Sequence, residues 1–289
     1  MTYANPDYLI DVDTLHSQLD DPQLKIFDAA VFLTPQAQGG YAVTSGREKY
    51  REGHIPGAGF IDLTSDWADT SGGLNSTLPA VASLAAAIGP SGIGNQDRVV
   101  LYSSGHLMWA TRAWWLLHYA GHANIALLNG NLRAWRAAGL PLKEGDESYP
   151  AATFTPRADA ARFADTATVE AGMDGKVCTI NALTQALYEG TGDFYYQRRG
   201  HIPGSKLMYY DDVLRDEFFL PADELGPLLE SQGMLSADQV ITYCGGGIAA
   251  TLDAFACTLM GQHNVAVYDG SMSEWVQDPA RPLTVGSEP

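Results

Sequence analysis

The chain has 289 residues, 46% hydrophobic and 18% charged, enough to bury one large core or two ordinary ones and too apolar for disorder to be its main state. Thirty-four acidic residues against 17 basic ones leave a net charge of -17, a field that repels phosphate backbones and anionic lipid, so neither nucleic acid nor membrane is an expected partner. Three cysteines, Cys178, Cys244 and Cys257, make no disulfide framework and no Cys-x-x-Cys pair, and the N-terminus lacks the basic start and apolar run of a signal peptide; a reducing, cytoplasmic setting is expected.

Taken in chain order, short β-branched or aromatic runs predict strands at 24–27, 99–102 and 125–128, then at 176–180, 240–243 and 265–268, with helical segments between them. Such alternation is the pattern of parallel strands covered by helices, an α/β fold. The pattern also repeats. Gly53-His-Ile-Pro-Gly57 returns 147 positions later as Gly200-His-Ile-Pro-Gly204, and the segment from Gly121 to Trp135 returns 140 positions later from Gly261 to Trp275. Offsets so large and so similar mean two tandem copies of one domain, at 1–143 and 164–289, each a parallel sheet with helices on both faces. Residues 144–163, in a stretch rich in Pro, Ala, Asp and Glu, suit a surface linker.

One segment carries most of the chemistry. In Val240-Ile-Thr-Tyr-Cys244-Gly-Gly-Gly-Ile-Ala-Ala250, a thiol stands where a strand ends and a helix begins, the edge at which α/β sheets bind ligands. Ile248, Leu252, Phe255 and Leu259 lay one apolar stripe along that helix. Gly245, Gly246 and Gly247 free the backbone for positive φ, so that N–H groups running through Ile248, Ala249 and Ala250 can converge on an anion, with the helix dipole behind them. This environment favours the thiolate, so the nucleophile needs no histidine base. A thiolate in an anion-holding loop suits attack on a phosphate ester or capture of sulfur as a persulfide. Cysteine phosphatases clamp phosphate with an arginine where this chain has Ala250, which leaves the persulfide. Cys178 and Cys257 read as packing residues.

The other signals are weaker. His54 and His201 precede Pro-Gly turns in both copies, which argues for structure over catalysis. The seven histidines form no zinc constellation, and no metal or cofactor is expected. Gly92-Ile-Gly94 lacks the helix that a dinucleotide fingerprint requires. Trp109, Trp114, Trp115 and Trp135 read as core. Asp269-Gly270 ends a strand, where Asp269 could help orient the active loop.

These landmarks together, with Gly46-Arg-Glu-Lys-Tyr-Arg-Glu-Gly-His-Ile-Pro-Gly57, the Cys244 loop and Tyr268-Asp-Gly-Ser-Met-Ser-Glu-Trp275, resemble the tandem-domain rhodaneses, which include thiosulfate and 3-mercaptopyruvate sulfurtransferases. The resemblance implies a silent first domain, where Ser103 takes the place of Cys244, and a catalytic second one. It implies a small sulfur donor, mercaptopyruvate-like or thiosulfate, and cyanide, a small thiol or a protein dithiol as acceptor. The loop departs from the family's patterns. Gly245 and Gly246 lack the cations of thiosulfate-type loops, and Gly246 and Ala249 lack the hydroxyls of mercaptopyruvate-type loops. An arginine that the mercaptopyruvate enzymes carry falls near Leu187. Arg198 and Arg199 beside the second His-Ile-Pro-Gly turn, with Lys206, Arg47 or Arg112, are the cations that could compensate. Tyr195, Tyr196 and Met272 raise the prospect of a more apolar ligand. A rival reading makes the chain a non-catalytic, rhodanese-fold scaffold that merely holds an anion.

Overall fold

The computed structural model describes residues 1–37, 40–74, 76–192 and 198–289, and among them each half of the chain forms a five-stranded parallel sheet. From edge to edge, the first runs Leu9–Ile10, Ile125–Leu128, Arg98–Tyr102, Leu24–Asp28, Gly59–Phe60. The second runs Phe163–Ala164, Val265–Tyr268, Val240–Tyr243, Cys178–Asn181, Lys206–Leu207, the same order by the same connections. All ladders in both sheets are parallel. The central strands are the expected ones, apolar on both faces because helices cover both; the last of them in the second half begins at Cys178 rather than at 176. The edge strands have two residues each, too short to show any periodicity in the sequence.

The repeated His-Ile-Pro-Gly turns are held alike. Tyr102 and Tyr243, at the ends of equivalent strands, accept the N–H of Ile55 at 3.2 Å and of Ile202 at 3.0 Å through their hydroxyls. His54 and His201 are buried, and each sets Nδ1 2.9 Å from a carbonyl, of Tyr50 and Tyr188 respectively. Both histidines thus fasten turns.

The segment expected to be a surface linker lies against the first domain. Gly145 donates to the Arg51 carbonyl, the Tyr149 hydroxyl accepts the Ile26 N–H and Ala152 donates to the Gly89 carbonyl, each at 2.9 Å. The C-terminal tail treats the second domain in the same way. Thr284 bridges to His201, and Trp275 donates to the Pro282 carbonyl as Trp135 does to that of Pro141, both at 2.9 Å. A strap after the last helix is therefore part of the repeated unit.

The halves meet through equivalent helices, Met108–Tyr119 and Ala250–Leu259. Their hydroxyls Thr111 Oγ1 and Thr251 Oγ1, 140 positions apart, touch at 2.7 Å. Every residue of Ala250–Leu259 is buried, because one face lies on its own sheet and the other on the partner helix. The single apolar stripe read from the sequence is thus only half of its contact surface. The first domain also carries an antiparallel hairpin, Val31–Pro35 with Tyr41–Ser45. No helix among the described residues is long and apolar enough to cross a membrane.

Candidate active site

Cys244 follows the strand Val240–Tyr243 directly, at the carboxyl edge of the second sheet, and the loop after it runs into the helix Ala250–Leu259. The loop is pinned from the next strand end. Cys244 donates its N–H to Ser271 Oγ at 3.1 Å, and that hydroxyl donates to the Tyr268 carbonyl at 2.7 Å. The Cys244 carbonyl accepts the Met272 N–H at 3.1 Å, and the Gly245 carbonyl accepts both the N–H and the hydroxyl of Ser273, at 2.9 and 2.7 Å. Ser271 holds φ at +49°, unusual for a residue with a side chain. Its counterpart Asn131, at +59°, accepts the Ser103 N–H at 2.6 Å in the first copy.

With the loop carbonyls held in this way, the N–H groups of Gly245, Gly246, Gly247, Ile248 and Ala249 have no acceptor among the described residues. Successive unclaimed N–H groups ahead of a helix N-terminus form a positive end that favours an anion. The three glycines are not equivalent, contrary to the sequence expectation. Only Gly247 takes positive φ, +75°, and a Cβ there would lie 2.4 Å from the Asp269 carbonyl oxygen. At Gly246 a Cβ would meet nothing closer than Ser273 Oγ, at 4.0 Å.

Between the two halves lies a cavity of about 510 Å³, and Cys244, Gly245, Gly246, Ile248, Ala249 and Asp269 all line it. Gly247 and Ala250 are not part of its lining. Trp109, expected in the core, lines the cavity too, whereas Trp114, Trp115 and Trp135 are wholly buried in the first domain. Met272 is a core residue of the second domain. The other two thiols do not line the cavity: burial pushes the Cys257 thiol far up and raises that of the partly buried Cys178, whose Sγ lies 3.5 Å from the Gln232 carbonyl.

None of the cations expected beside the sulfur lines the cavity. Arg198 donates to the carbonyls of Asp278 at 2.8 Å and Arg281 at 2.5 Å, fastening the C-terminal strap. Arg199 is exposed and does not line the cavity. Lys206 donates to the Gln232 carbonyl, and Arg47 lies over the Phe60 ring. Arg112 does reach across from the first domain, but it is committed to the protein: Nη1 sits 2.6 Å from Asp269 Oδ1 and 3.3 Å from the Gly247 carbonyl, and Nη2 donates to the Ser76 carbonyl at 2.9 Å. Tyr195 and Tyr196 fall outside the described residues. Sequence reasoning missed Ser271 and Ser273. Their signal was present in the repeat, since Ser271 stands 140 positions after Asn131, directly beyond matching Asn-Gly and Asp-Gly turns.

The family model described as the rhodanese-like domain matches residues 11–138 and 183–278. The chain belongs to the tandem-domain rhodanese-like sulfurtransferases. It is 35% identical to a probable 3-mercaptopyruvate sulfurtransferase of Pseudomonas aeruginosa, across 96% of this chain and 98% of that one. It is 30% identical to the 3-mercaptopyruvate sulfurtransferase of Escherichia coli K12, across 93% and 94%. The crystal structure of SseA from Escherichia coli, a 3-mercaptopyruvate sulfotransferase of the rhodanese fold, superposes with a TM-score of 0.82 at 28% identity, covering 92% of this chain and 99% of that one. The two-domain architecture of this rhodanese-like sulfurtransferase is therefore shared along almost its full length.

Proposed function

We propose that this sulfurtransferase works by a two-step relay through Cys244. The Cys244 thiolate attacks the outer sulfur of a small donor, either 3-mercaptopyruvate, which leaves as the enolate of pyruvate, or thiosulfate, which leaves as sulfite. The new S–S bond places one sulfane sulfur on Cys244. Its negative charge is met by the N–H groups of residues 245–250 and by the positive end of the helix Ala250–Leu259. Cyanide, a small thiol or a protein dithiol then attacks that outer sulfur, carries it off and returns the Cys244 thiolate.

The observation that carries this reading is the position of Cys244, on the wall of the inter-domain cavity and followed by five N–H groups that no described residue claims. In this reading residues 1–143 form the silent domain and 164–289 the catalytic one, joined by 144–163. Asp269 orients the loop, and Arg198 and Arg199 take no part in holding the donor. Three unpaired cysteines support a reducing cytoplasmic setting, and the charge of -17 supports small-molecule partners over nucleic acid or anionic membranes. The test is thiocyanate formation from cyanide with each donor. Turnover that disappears in Cys244→Ser is expected; a chain inert with both donors, or a Cys244→Ser variant that retains turnover, contradicts the relay.

A further inference from the structure

Resting on the relay through Cys244, we propose that the donor subsite takes an α-mercapto ketone whose carbonyl carries an apolar group, where 3-mercaptopyruvate carries its carboxylate. The first argument is charge. Among the described residues that line the cavity there is no Arg, Lys or His, and none of the residues outside the description (38, 39, 75 and 193–197) is one of these types. The charged residue in the wall is an acid, Asp269, and the guanidinium nearest to it, Arg112, is already divided among that carboxylate and the carbonyls of Ser76 and Gly247. A donor carboxylate would leave water for a site that supplies it no counter-charge, inside a protein of net charge -17. The loop N–H groups stand at Cys244, where the transferred sulfur itself must be held.

The second argument is shape and lining. About 510 Å³ is a volume in the range that drug-sized ligands fill, well beyond a three-carbon acid. Its wall is largely aliphatic and aromatic: Leu33 and Val43 from the hairpin, Trp109 from the interface helix, and Leu183, Leu187 and Tyr210 from the second domain. Thr77, Thr184 and Ser273 also line it, so the wall offers a carboxylate hydroxyl groups but no cation, while it stabilises an apolar body.

The step balances without any further reagent. The Cys244 thiolate forms a bond to the sulfur of R–CO–CH2–SH as the C–S bond breaks. The electron pair of that bond leaves on the enolate of R–CO–CH3, and the donor's thiol proton ends on the enolate carbon. The sulfur is oxidised to the sulfane level, and the carbon is reduced to a methyl group.

The test compares kcat/KM for 2-mercaptoacetophenone and 3-mercaptopyruvate on the full chain, with cyanide as acceptor, thiocyanate as readout and Cys244→Ser as the background. The phenyl ketone is expected to exceed mercaptopyruvate about tenfold or more, the order that burying an aromatic ring supplies. Leu187→Arg, which puts a guanidinium into the wall, is expected to move the ratio towards mercaptopyruvate about tenfold or more, as a charged partner for a carboxylate does. Preference of the unmodified chain for mercaptopyruvate overturns the apolar subsite while leaving the relay intact. Absence of turnover with both donors and with thiosulfate overturns the relay, and the subsite with it.

Discussion

Arg112 of the first domain and Asp269 of the second form an ion pair of 2.6 Å at the back of the cavity, with Arg112 only 1% exposed. The pair joins three segments. Arg112 also holds the carbonyls of Gly247 and Ser76, while the second oxygen of Asp269 accepts the Leu78 N–H at 2.7 Å. The first domain thus shapes the Cys244 loop from behind, at its one left-handed glycine.

Removing one partner of a buried pair leaves an uncompensated charge. Arg112→Gln is expected to lower the unfolding free energy by about 3 kcal/mol, at the low end for a buried pair because Asp269 is 15% exposed. It is also expected to lower kcat/KM about tenfold through the displaced loop. Urea unfolding and steady-state kinetics measure both. Arg112→Met combined with Asp269→Leu should recover most of the stability, since neither charge then remains.

The glycines of the loop divide by space and by φ. Gly247→Ala forces a Cβ towards the Asp269 carbonyl oxygen in a left-handed conformation, and a loss of about 3 kcal/mol with little remaining turnover is expected. Gly246→Ser has room and keeps an ordinary φ, so its stability should stay within about 0.5 kcal/mol of the parent. Equal damage from the two substitutions in denaturant melts would contradict this division.

Asp28 is the first-domain counterpart of Asn181 and is fully buried; its Oδ1 accepts the N–H groups of Ala30 and Ser104, and burial pushes its carboxyl up to about 6. A carboxyl whose folded value lies above its unfolded one stabilises the fold fully below about pH 4, and that contribution is lost as the pH rises through about 6. Asp28→Asn removes this dependence. It also supplies an amide like that of Asn181, which donates to the Tyr243 hydroxyl at 3.0 Å. The variant should be the more stable by about 2 kcal/mol at pH 8, with the gap narrowing as the pH falls below 6. Chemical denaturation across that range checks the sign as well as the size.

What could be read in the sequence follows from what is local. The duplication showed because turns such as His-Ile-Pro-Gly demand fixed residues at fixed places, and the central strands showed because burial on both faces leaves runs such as Val240-Ile-Thr-Tyr243. Cys244 stood out because its own neighbours define its position. Contacts between the halves left no such trace: nothing near Arg112 announces Asp269, and nothing near Thr111 announces Thr251. Arg198 looked available because it flanks a turn, yet its partners are carbonyls of the distant C-terminal strap. Gly245, Gly246 and Gly247 looked alike because sequence records the freedom to adopt positive φ, whereas only the packing against Asp269 uses it.

The relay rests on Cys244 as the atom that carries sulfur. Mass spectrometry of peptides after incubation with donor and before acceptor addresses this directly. One added sulfur on the Cys244 peptide, removed by cyanide and absent from Cys244→Ser, is the predicted result. Sulfur found on Cys178 or Cys257 instead, or turnover with no sulfur ever retained on the protein, would contradict it.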